Sequence, residues 1–204
     1  MARTAASIAP WADEVVEMPG PVTIEELERL SDDFCCYELV EGWLVKLSPG
    51  SGGHGSLSWK LSFDVGRYIT AHGLGMVFGA ETGFTLSSPG STHPTVLAPD
   101  VAFVQADRLP SKDSDEWNQF WRLAPDLVVE VVSRSQSRSA LSAKARLWIA
   151  HGARLVWVVS PRAKEVDVWY GDAEKPVRTL RLDDSIDGLD VVPGYSHALS
   201  ELFA

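Results

Sequence analysis

The sequence predicts one α/β (α+β) domain, built on a mixed β-sheet with a helix on each face. Leucine, valine and isoleucine recur every four residues at positions 57, 61, 65 and 69, as in a helix with one buried face. Two runs, Val96–Val104 and Ala124–Ser133, are apolar at nearly every position, which is typical of strands covered on both faces. A helical pattern at Ser137–His151 separates the second run from the apolar Arg154–Ser160, so these elements predict a βαβ-like crossover.

The remaining elements are predicted in chain order from local patterns. Residues 1–21 contain alanine, proline and acidic residues without a clear period, so we expect a flexible N-terminal tail before a domain that spans 22–204. Thr23 and Glu26 have the spacing of a capping box, which opens a short helix. A long helix is expected at about 54–71. Further strands are predicted at Tyr37–Ser48 (a pair that turns at Glu41–Gly42), Met76–Ala80, Gly83–Ser87, Val166–Tyr170 and Val177–Leu182.

The composition is that of an ordinary globular domain. Of the 204 residues, 45% are hydrophobic and 23% are charged, and no run approaches the ~18 consecutive apolar residues of a membrane span. The N-terminus lacks a signal-peptide pattern, and the two cysteines, Cys35 and Cys36, are adjacent and therefore poor disulfide partners. We expect a cytoplasmic protein that does not contact membranes. Eight tryptophans suggest an apolar surface, and we expect a homodimer.

The charge of the chain is negative overall but unevenly distributed. A net charge of −10 weakens the case for strong nucleic-acid binding, because lysine and arginine contacts to phosphate supply most of that affinity. Residues 131–164 nevertheless contain basic residues and no acidic ones. The basic residues are Arg134, Arg138, Lys144, Arg146, Arg154, Arg162 and Lys164. This segment is either a solvated basic face or a surface that binds phosphate.

Three charged residues interrupt patterns that otherwise predict burial. Asp100 lies within the run Val96–Val104, and Glu130 lies within the leucine- and valine-rich strand that follows Asp126. Lys144 lies beside the apolar stripe of the next helix. A charge in an apolar interior is costly unless it is paired or binds a metal. We therefore expect these three side chains to lie close together.

These positions resemble the Uma2 family, which belongs to the restriction-endonuclease-like PD-(D/E)XK superfamily. The likeness covers about 37–170 and includes, in order, Tyr37–Gly42, His54–Gly55, Pro99–Val101, Pro125–Ser133 and Gly152–Pro161. In the usual superfamily motif a lysine lies two residues after the strand carboxylate, where this chain has Val132. Uma2-like proteins are similar in having a lysine on the following helix, the place of Lys144. The resemblance implies a restriction-endonuclease-like sheet flanked by helices.

The resemblance also implies a divalent-metal-dependent endonuclease that hydrolyses phosphodiester bonds of nucleic acid, with DNA as the expected partner. Asp100 and Glu130 are the expected ligands of Mg²⁺ or Mn²⁺, since neighbouring carboxylates repel unless a cation bridges them. Such an ion activates a bound water and polarises the phosphodiester. Lys144 is expected to act on that water or on the phosphate. The alternative is a catalytically inactive nuclease-fold domain that acts as a binding module, with the charges forming an internal ion pair.

Four further residues are candidate accessory members of the site. Glu38, on an early strand, is either an additional metal-site carboxylate or a solvent-exposed residue. His54 opens a helix after a glycine-rich loop, where it contacts phosphate or helps to cap the helix. Glu81 precedes a predicted strand, and Gln136 lies among serines before the second long helix. Both are expected either to line the site or to have a purely structural role.

Overall fold

The computed structural model describes residues 5–18, 20–30, 36–87 and 90–204. Its helices are α1 (Ala5–Ile8), α2 (Ile24–Leu30), α3 (Gly52–Ala71), α4 (Arg138–Ala150) and α5 (Leu199–Leu202). Its strands are β1 (Glu14–Val15), β2 (Cys36–Val40), β3 (Trp43–Leu47), β4 (Gly75–Gly79), β5 (Phe84–Thr85), β6 (Val96–Leu97), β7 (Val101–Gln105), β8 (Leu127–Val131), β9 (Leu155–Ser160), β10 (Glu165–Tyr170), β11 (Arg178–Leu180), β12 (Ser185–Asp187) and β13 (Ser196–Ala198). Within the described ranges, none of the helices combines the length and apolar composition that a membrane crossing requires.

A six-stranded sheet forms the centre of the fold, in the order β11-β10-β9-β8-β7-β4. Strands β8 and β9 are parallel and are joined by α4, as predicted, while the other neighbours are antiparallel. Helix α3 covers one face, where Leu61 packs with Phe103 and Val129. Helix α4 covers the other face, where Trp148 packs with Val128. The mixed sheet with a helix on each face confirms the predicted fold class.

A second, five-stranded sheet has the order β1-β3-β2-β6-β5 and is antiparallel throughout. The prediction of one continuous strand over Val96–Val104 is wrong, because the chain changes sheets within it. Strand β6 pairs in the five-stranded sheet, and β7 pairs in the six-stranded sheet. Pro99 lies at the break and has no backbone N–H with which to continue a ladder. Ala98 and Asp100 are thereby placed where the two sheets meet.

The segment before α2 packs against the domain, which differs from the flexible tail that the sequence predicts. Glu14 and Val15 pair with β3, and Trp11 is 3% exposed. The Trp11 indole N–H donates a hydrogen bond to Glu38 Oε2 (2.9 Å), and the Trp11 carbonyl oxygen accepts one from Gln136 (2.8 Å). An aromatic ring with a polar edge is readily buried where its N–H finds an acceptor. A single tryptophan has no period, so the sequence pattern contained no signal for this packing.

Strand β4 begins at a glycine whose replacement would strain the fold. Gly75 has a φ of +151°, and a Cβ atom there would lie 2.1 Å from the Val104 carbonyl oxygen. We expect Gly75→Ala to lower the free energy of unfolding by about 3 kcal/mol, or roughly 10 °C in melting temperature. Gly79→Ala, at the other end of the strand, is the control, because a Cβ atom there meets nothing within 4 Å. Equal thermal melting curves for the two variants would contradict this close approach.

Candidate active site

Lys144 lies on the buried side of α4. The helix begins after Ser137, whose side-chain oxygen accepts a hydrogen bond from the Ala140 N–H (3.1 Å), as is typical of an N-cap. From this start, residues one turn apart share a helix face, so Lys144 and Trp148 lie on the side that packs against the sheet. Lys144 is 3% exposed. Its side chain therefore enters the interior, on the face of β8 that carries Glu130.

The Lys144 ammonium group is held between two carboxylates. Its Nζ atom lies 2.8 Å from Glu38 Oε1 and 3.0 Å from Glu130 Oε1. It also donates a hydrogen bond to the Ala98 carbonyl oxygen (3.1 Å). A lysine has three N–H donors, and here they meet three acceptor groups. The side chains of Glu38 and Glu130 are 1% and 4% exposed, so this is a buried ion cluster in which the cation is fully paired.

Glu38 reaches the cluster from β2, in the five-stranded sheet, and both of its carboxylate oxygens are occupied. Oε1 accepts a hydrogen bond from the Ala98 N–H (2.9 Å), and Oε2 accepts one from the Trp11 indole. The Ala98 peptide therefore binds both charges, with its N–H on Glu38 and its carbonyl on Lys144. These groups are available because the strand is interrupted at Pro99. Glu38 is therefore not solvent-exposed, and protein donors occupy both of its carboxylate oxygens.

Glu130 and Lys144 have strongly perturbed ionisation. Burial raises the pKa of Glu130 to about 7, where the charge of Lys144 opposes the rise and the charges of Asp100 and Glu38 add to it. The Trp148 indole N–H donates to Glu130 Oε1 (2.8 Å) and favours the ionised form. Burial lowers the pKa of Lys144, but Glu130 and Glu38 more than reverse this effect and hold it above the usual 10.5. When Glu38 and Glu130 are both ionised, two carboxylates face the single Lys144 ammonium, and the cluster then has an excess of negative charge.

Asp100 lies at the edge of this cluster and has different partners. It precedes β7, and its Oδ2 accepts a hydrogen bond from the Val131 N–H at the end of β8 (2.7 Å). Its Oδ1 lies 3.3 Å from His54 Nε2, which is also 3.1 Å from the Val131 carbonyl oxygen. The hydrogen bond to Asp100 raises the pKa of His54 above its usual 6.5. Among the described residues, Asp100 makes no direct hydrogen bond with Lys144.

His54 is placed by the first turn of α3 and by the loop before it. The helix is capped by Ser51, whose side chain accepts a hydrogen bond from the His54 N–H (3.4 Å). A Cβ atom at Gly50 would lie 2.6 Å from His54 Nδ1, so the glycine-rich loop closes directly against the ring. The loop and the end of β8 thus hold the imidazole from two sides. The structure thus places the His54 ring beside Asp100 and the end of β8.

The divalent cation that the resemblance implies can be tested against the donor atoms. Asp100, Glu130 and the Val131 carbonyl provide hard oxygen atoms around the end of β8, and the excess negative charge favours a cation. Within the described ranges, no three acidic, histidine or cysteine side chains converge to form a complete metal cage. Mg²⁺ usually keeps several waters and uses one or two carboxylates together with substrate phosphates. With only these donors, a cation here would need waters or substrate oxygens to complete its coordination.

The other two candidate accessory residues lie away from the carboxylates. Glu81 occupies the turn after β4, with a φ of +74°, and lines a groove beside Trp117 and Trp121. Within the part of the chain that is described, Glu81 forms no ion pair with Lys144. Gln136 donates its side-chain hydrogen bond to the Trp11 carbonyl oxygen, so it holds the N-terminal segment rather than a carboxylate.

Two tryptophans belong to the site although the sequence indicated no polar role for them. Trp148 lies among the buried apolar residues of α4, and Trp11 lies in the segment predicted to be a tail. Each donates an indole N–H to one carboxylate of the cluster, Trp148 to Glu130 and Trp11 to Glu38. A tryptophan one turn after a buried lysine is a usable signal for such a contact. For Trp11 the sequence carried no comparable signal.

Three of the seven basic residues of the segment 131–164 form internal ion pairs in the part of the chain that the structure describes. Arg138 pairs with two acidic residues of β10, and Arg154 pairs with Asp190 (2.7 Å). Lys144 is buried in the cluster. Arg134 lies exposed in the loop between β8 and α4, three residues after Val131, and forms no ion pair with the described residues. Its position directly after β8 makes Arg134 a candidate contact for phosphate near the site.

The fold matches that of a protein described as a nuclease. The chain superposes on the structure of "a putative nuclease belonging to DUF820 from Anabaena variabilis ATCC 29413" with a TM-score of 0.74 and 19% identity, over 90% of this chain and 98% of the other. At this identity the likeness shows the fold alone. The chain belongs to the Uma2 family, whose model, described as "Putative restriction endonuclease", matches residues 24–200 and confirms the resemblance. No match is found among curated proteins.

Removal of the Lys144 cation from the ion cluster should destabilise the folded protein strongly. Lys144→Met would leave Glu38 and Glu130 buried without their partner, and we expect a loss of about 3–5 kcal/mol in the free energy of unfolding, measured by denaturant titration. Adding Glu38→Gln should recover part of this loss, because the double variant has one fewer unpaired anion. Arg181→Met breaks an ion pair in which the arginine is 75% exposed and should cost less than about 1 kcal/mol. A Lys144→Met cost as small as that of Arg181→Met would refute the described pairing.

Proposed function

We propose that this protein is a divalent-metal-dependent endonuclease that hydrolyses phosphodiester bonds of nucleic acid, with DNA as its substrate. The family and the structural neighbour both support a nuclease. The observation that carries the proposal is the buried Lys144 ammonium beside Glu130, close to the point where Asp100 and His54 meet the end of β8. Carboxylates with perturbed pKa values that converge with other polar groups are typical of functional sites.

The proposed ligands of the cation are Asp100, Glu130 and the Val131 carbonyl oxygen. A bound Mg²⁺ or Mn²⁺ supplies a water of lowered pKa and polarises the phosphodiester. Lys144 lowers the pKa of Glu130 and so favours the carboxylate form that a cation requires. Because all three Lys144 donors are occupied, its contribution is to orient the carboxylates and to keep Glu130 ionised.

His54 and Arg134 are proposed to contact the phosphate. The His54 side chain is 16% exposed, and its raised pKa increases the fraction of rings that are protonated at neutral pH. Arg134 is exposed in the adjacent loop and remains charged at all relevant pH values. Two cations beside the carboxylates would attract the substrate locally, in spite of the net charge of −10.

A second candidate function is that of a catalytically inactive nuclease-fold domain that binds a partner. The observation that favours it is the closure of the ion cluster, because Lys144 is already satisfied by Glu38 (2.8 Å), Glu130 (3.0 Å) and Ala98 (3.1 Å). In this alternative, the charges serve only to join the two sheets. Metal binding by the purified protein separates the two candidates without knowledge of the substrate.

Thermal unfolding with and without Mn²⁺ tests the metal site. At a concentration ~100 times the dissociation constant, Mn²⁺ should stabilise the wild type by about 2.7 kcal/mol, a shift of several degrees. Asp100→Asn should lose most of this gain, while its melting temperature in chelator stays near that of the wild type, since asparagine can still accept the Val131 N–H. Glu174→Gln, at an exposed position, should retain the full gain. A wild type that Mn²⁺ does not stabilise would favour the binding module.

Cleavage assays test the reaction itself. Purified protein with Mg²⁺ or Mn²⁺ should cut plasmid DNA, and chelator should stop the reaction. Loss of groups that only support a metal ligand typically costs 10–100-fold, so Asp100→Asn should reduce the rate at least ~100-fold. Glu174→Gln again serves as the control. Equal cleavage by wild type and Asp100→Asn would assign the activity to a contaminant, and DNA binding without cleavage by metal-loaded protein would support the alternative.

A further inference from the structure

The two edges of the six-stranded sheet are built differently. At one edge, β11 has three residues, includes Arg178 and follows Pro176. A short strand with a charge and a nearby proline resists pairing with another chain. At the other edge, β4 has five residues with the sequence Gly-Met-Val-Phe-Gly and contains neither a charge nor a proline. In the described structure β4 pairs only with β7, so half of its backbone N–H and C=O groups face outward.

Two exposed aromatic rings lie beside this unprotected edge. Trp59 and Phe63 of α3 are 66% and 57% exposed, the highest fractions among the large apolar side chains described. Their rings are stacked, with centroids 5.3 Å apart and an interplanar angle of 11°. Together with β4 they line a groove of about 360 Å³, and no residue that lines it is charged. Exposed apolar surface of this kind, continuous with an open strand, is typical of an interface.

We propose that this face binds a second copy of the chain, with β4 pairing antiparallel to β4 of the partner about a twofold axis at Val77. The strand is nearly symmetric about that residue: the glycines at 75 and 79 would lie opposite each other, and Met76 would lie opposite Phe78. Antiparallel pairing of an edge with its own copy satisfies the outward backbone groups of both strands. The six-stranded sheets of two copies would then form one continuous sheet.

The aromatic rings complement the glycines in this arrangement. Val77 faces α3, since a Cβ atom at Gly66 would lie 3.8 Å from the Val77 Cβ. Gly75 and Gly79 share that face by strand alternation and leave it without side chains at both ends. Helix α3 leads into β4 through a short turn and runs antiparallel to it, so Trp59 lies towards the Gly79 end. The antiparallel partner would place its own Gly75 beneath this ring.

The charge of the face also fits a second copy. Each chain has a net charge of −10, so two copies repel unless they meet where neither presents charged groups. The groove beside β4 meets that condition. The chemistry of this face does not depend on whether the protein cleaves nucleic acid.

Sedimentation velocity over a wide range of concentrations tests the assembly. The wild type should be a dimer in the micromolar range, and Trp59→Ser with Phe63→Ser should be a monomer with an unchanged circular dichroism spectrum, because both side chains are on the surface. Trp43→Ser, at a 40% exposed position on β3, is the matched control and should remain dimeric. A monomeric wild type at the highest concentration, or a dimeric double variant, would overturn the proposal.

Cross-linking tests the register independently. In a background with Cys35→Ser and Cys36→Ser, Val77→Cys would place two thiols opposite each other, with Cβ atoms about 5 Å apart. A short reagent with two thiol-reactive groups, such as a bis-maleimide, should then give a covalent dimer on a denaturing gel. Gly79→Cys is the control, because two such thiols would be four residues, or roughly 13 Å, apart. Efficient cross-linking at 79 and none at 77, or none at either position, would rule out pairing centred on Val77.

Discussion

The contact between the Lys144 ammonium and its two carboxylates determines how the parts of this protein fit together. Glu38 comes from the five-stranded sheet, Glu130 from the six-stranded sheet, and Lys144 from the helix that covers the second. In an apolar interior each of these charges would be unfavourable alone. The two sheets therefore have one relative position in which all three charges are paired, and the apolar packing around them is constrained to that position.

Much of this site could be predicted from the sequence, because its residues are charged and lie in segments that are otherwise apolar. Asp100 and Glu130 are charged residues in apolar runs, and Lys144 lies on a face that periodicity assigns to the core. The fold class followed from the spacing of apolar residues, and the structure confirms it. The burial of Glu38 could not be predicted in this way. An alternating strand has two faces, and its sequence does not reveal which face will be covered by a second sheet.

The break at Pro99 and the position of Trp11 could not be predicted from the sequence, and the physical reason is the same for both. Each depends on a partner from a distant part of the chain: the Ala98 peptide binds Glu38 and Lys144, and Trp11 binds Glu38. Local patterns report how a segment prefers to fold, not which acceptor it will meet. The availability of basic residues for phosphate was also not predictable from the sequence alone. A basic stretch in the sequence appeared available for phosphate, but Arg138 and Arg154 are paired within the protein.

The Ala98 peptide binds both Glu38 and Lys144, so the site cannot form until these three distant parts of the chain have met. Along the chain, 60 residues separate Glu38 from Ala98, and 46 more separate Ala98 from Lys144. Contacts of such long range form only after the entropy of closing large loops has been overcome, which generally requires both sheets to be in place. During synthesis the two early partners leave the ribosome well before α4. A folding intermediate that has only one sheet therefore has no site, and the newly made chain acquires the site only once Glu38, Ala98 and Lys144 are all in place.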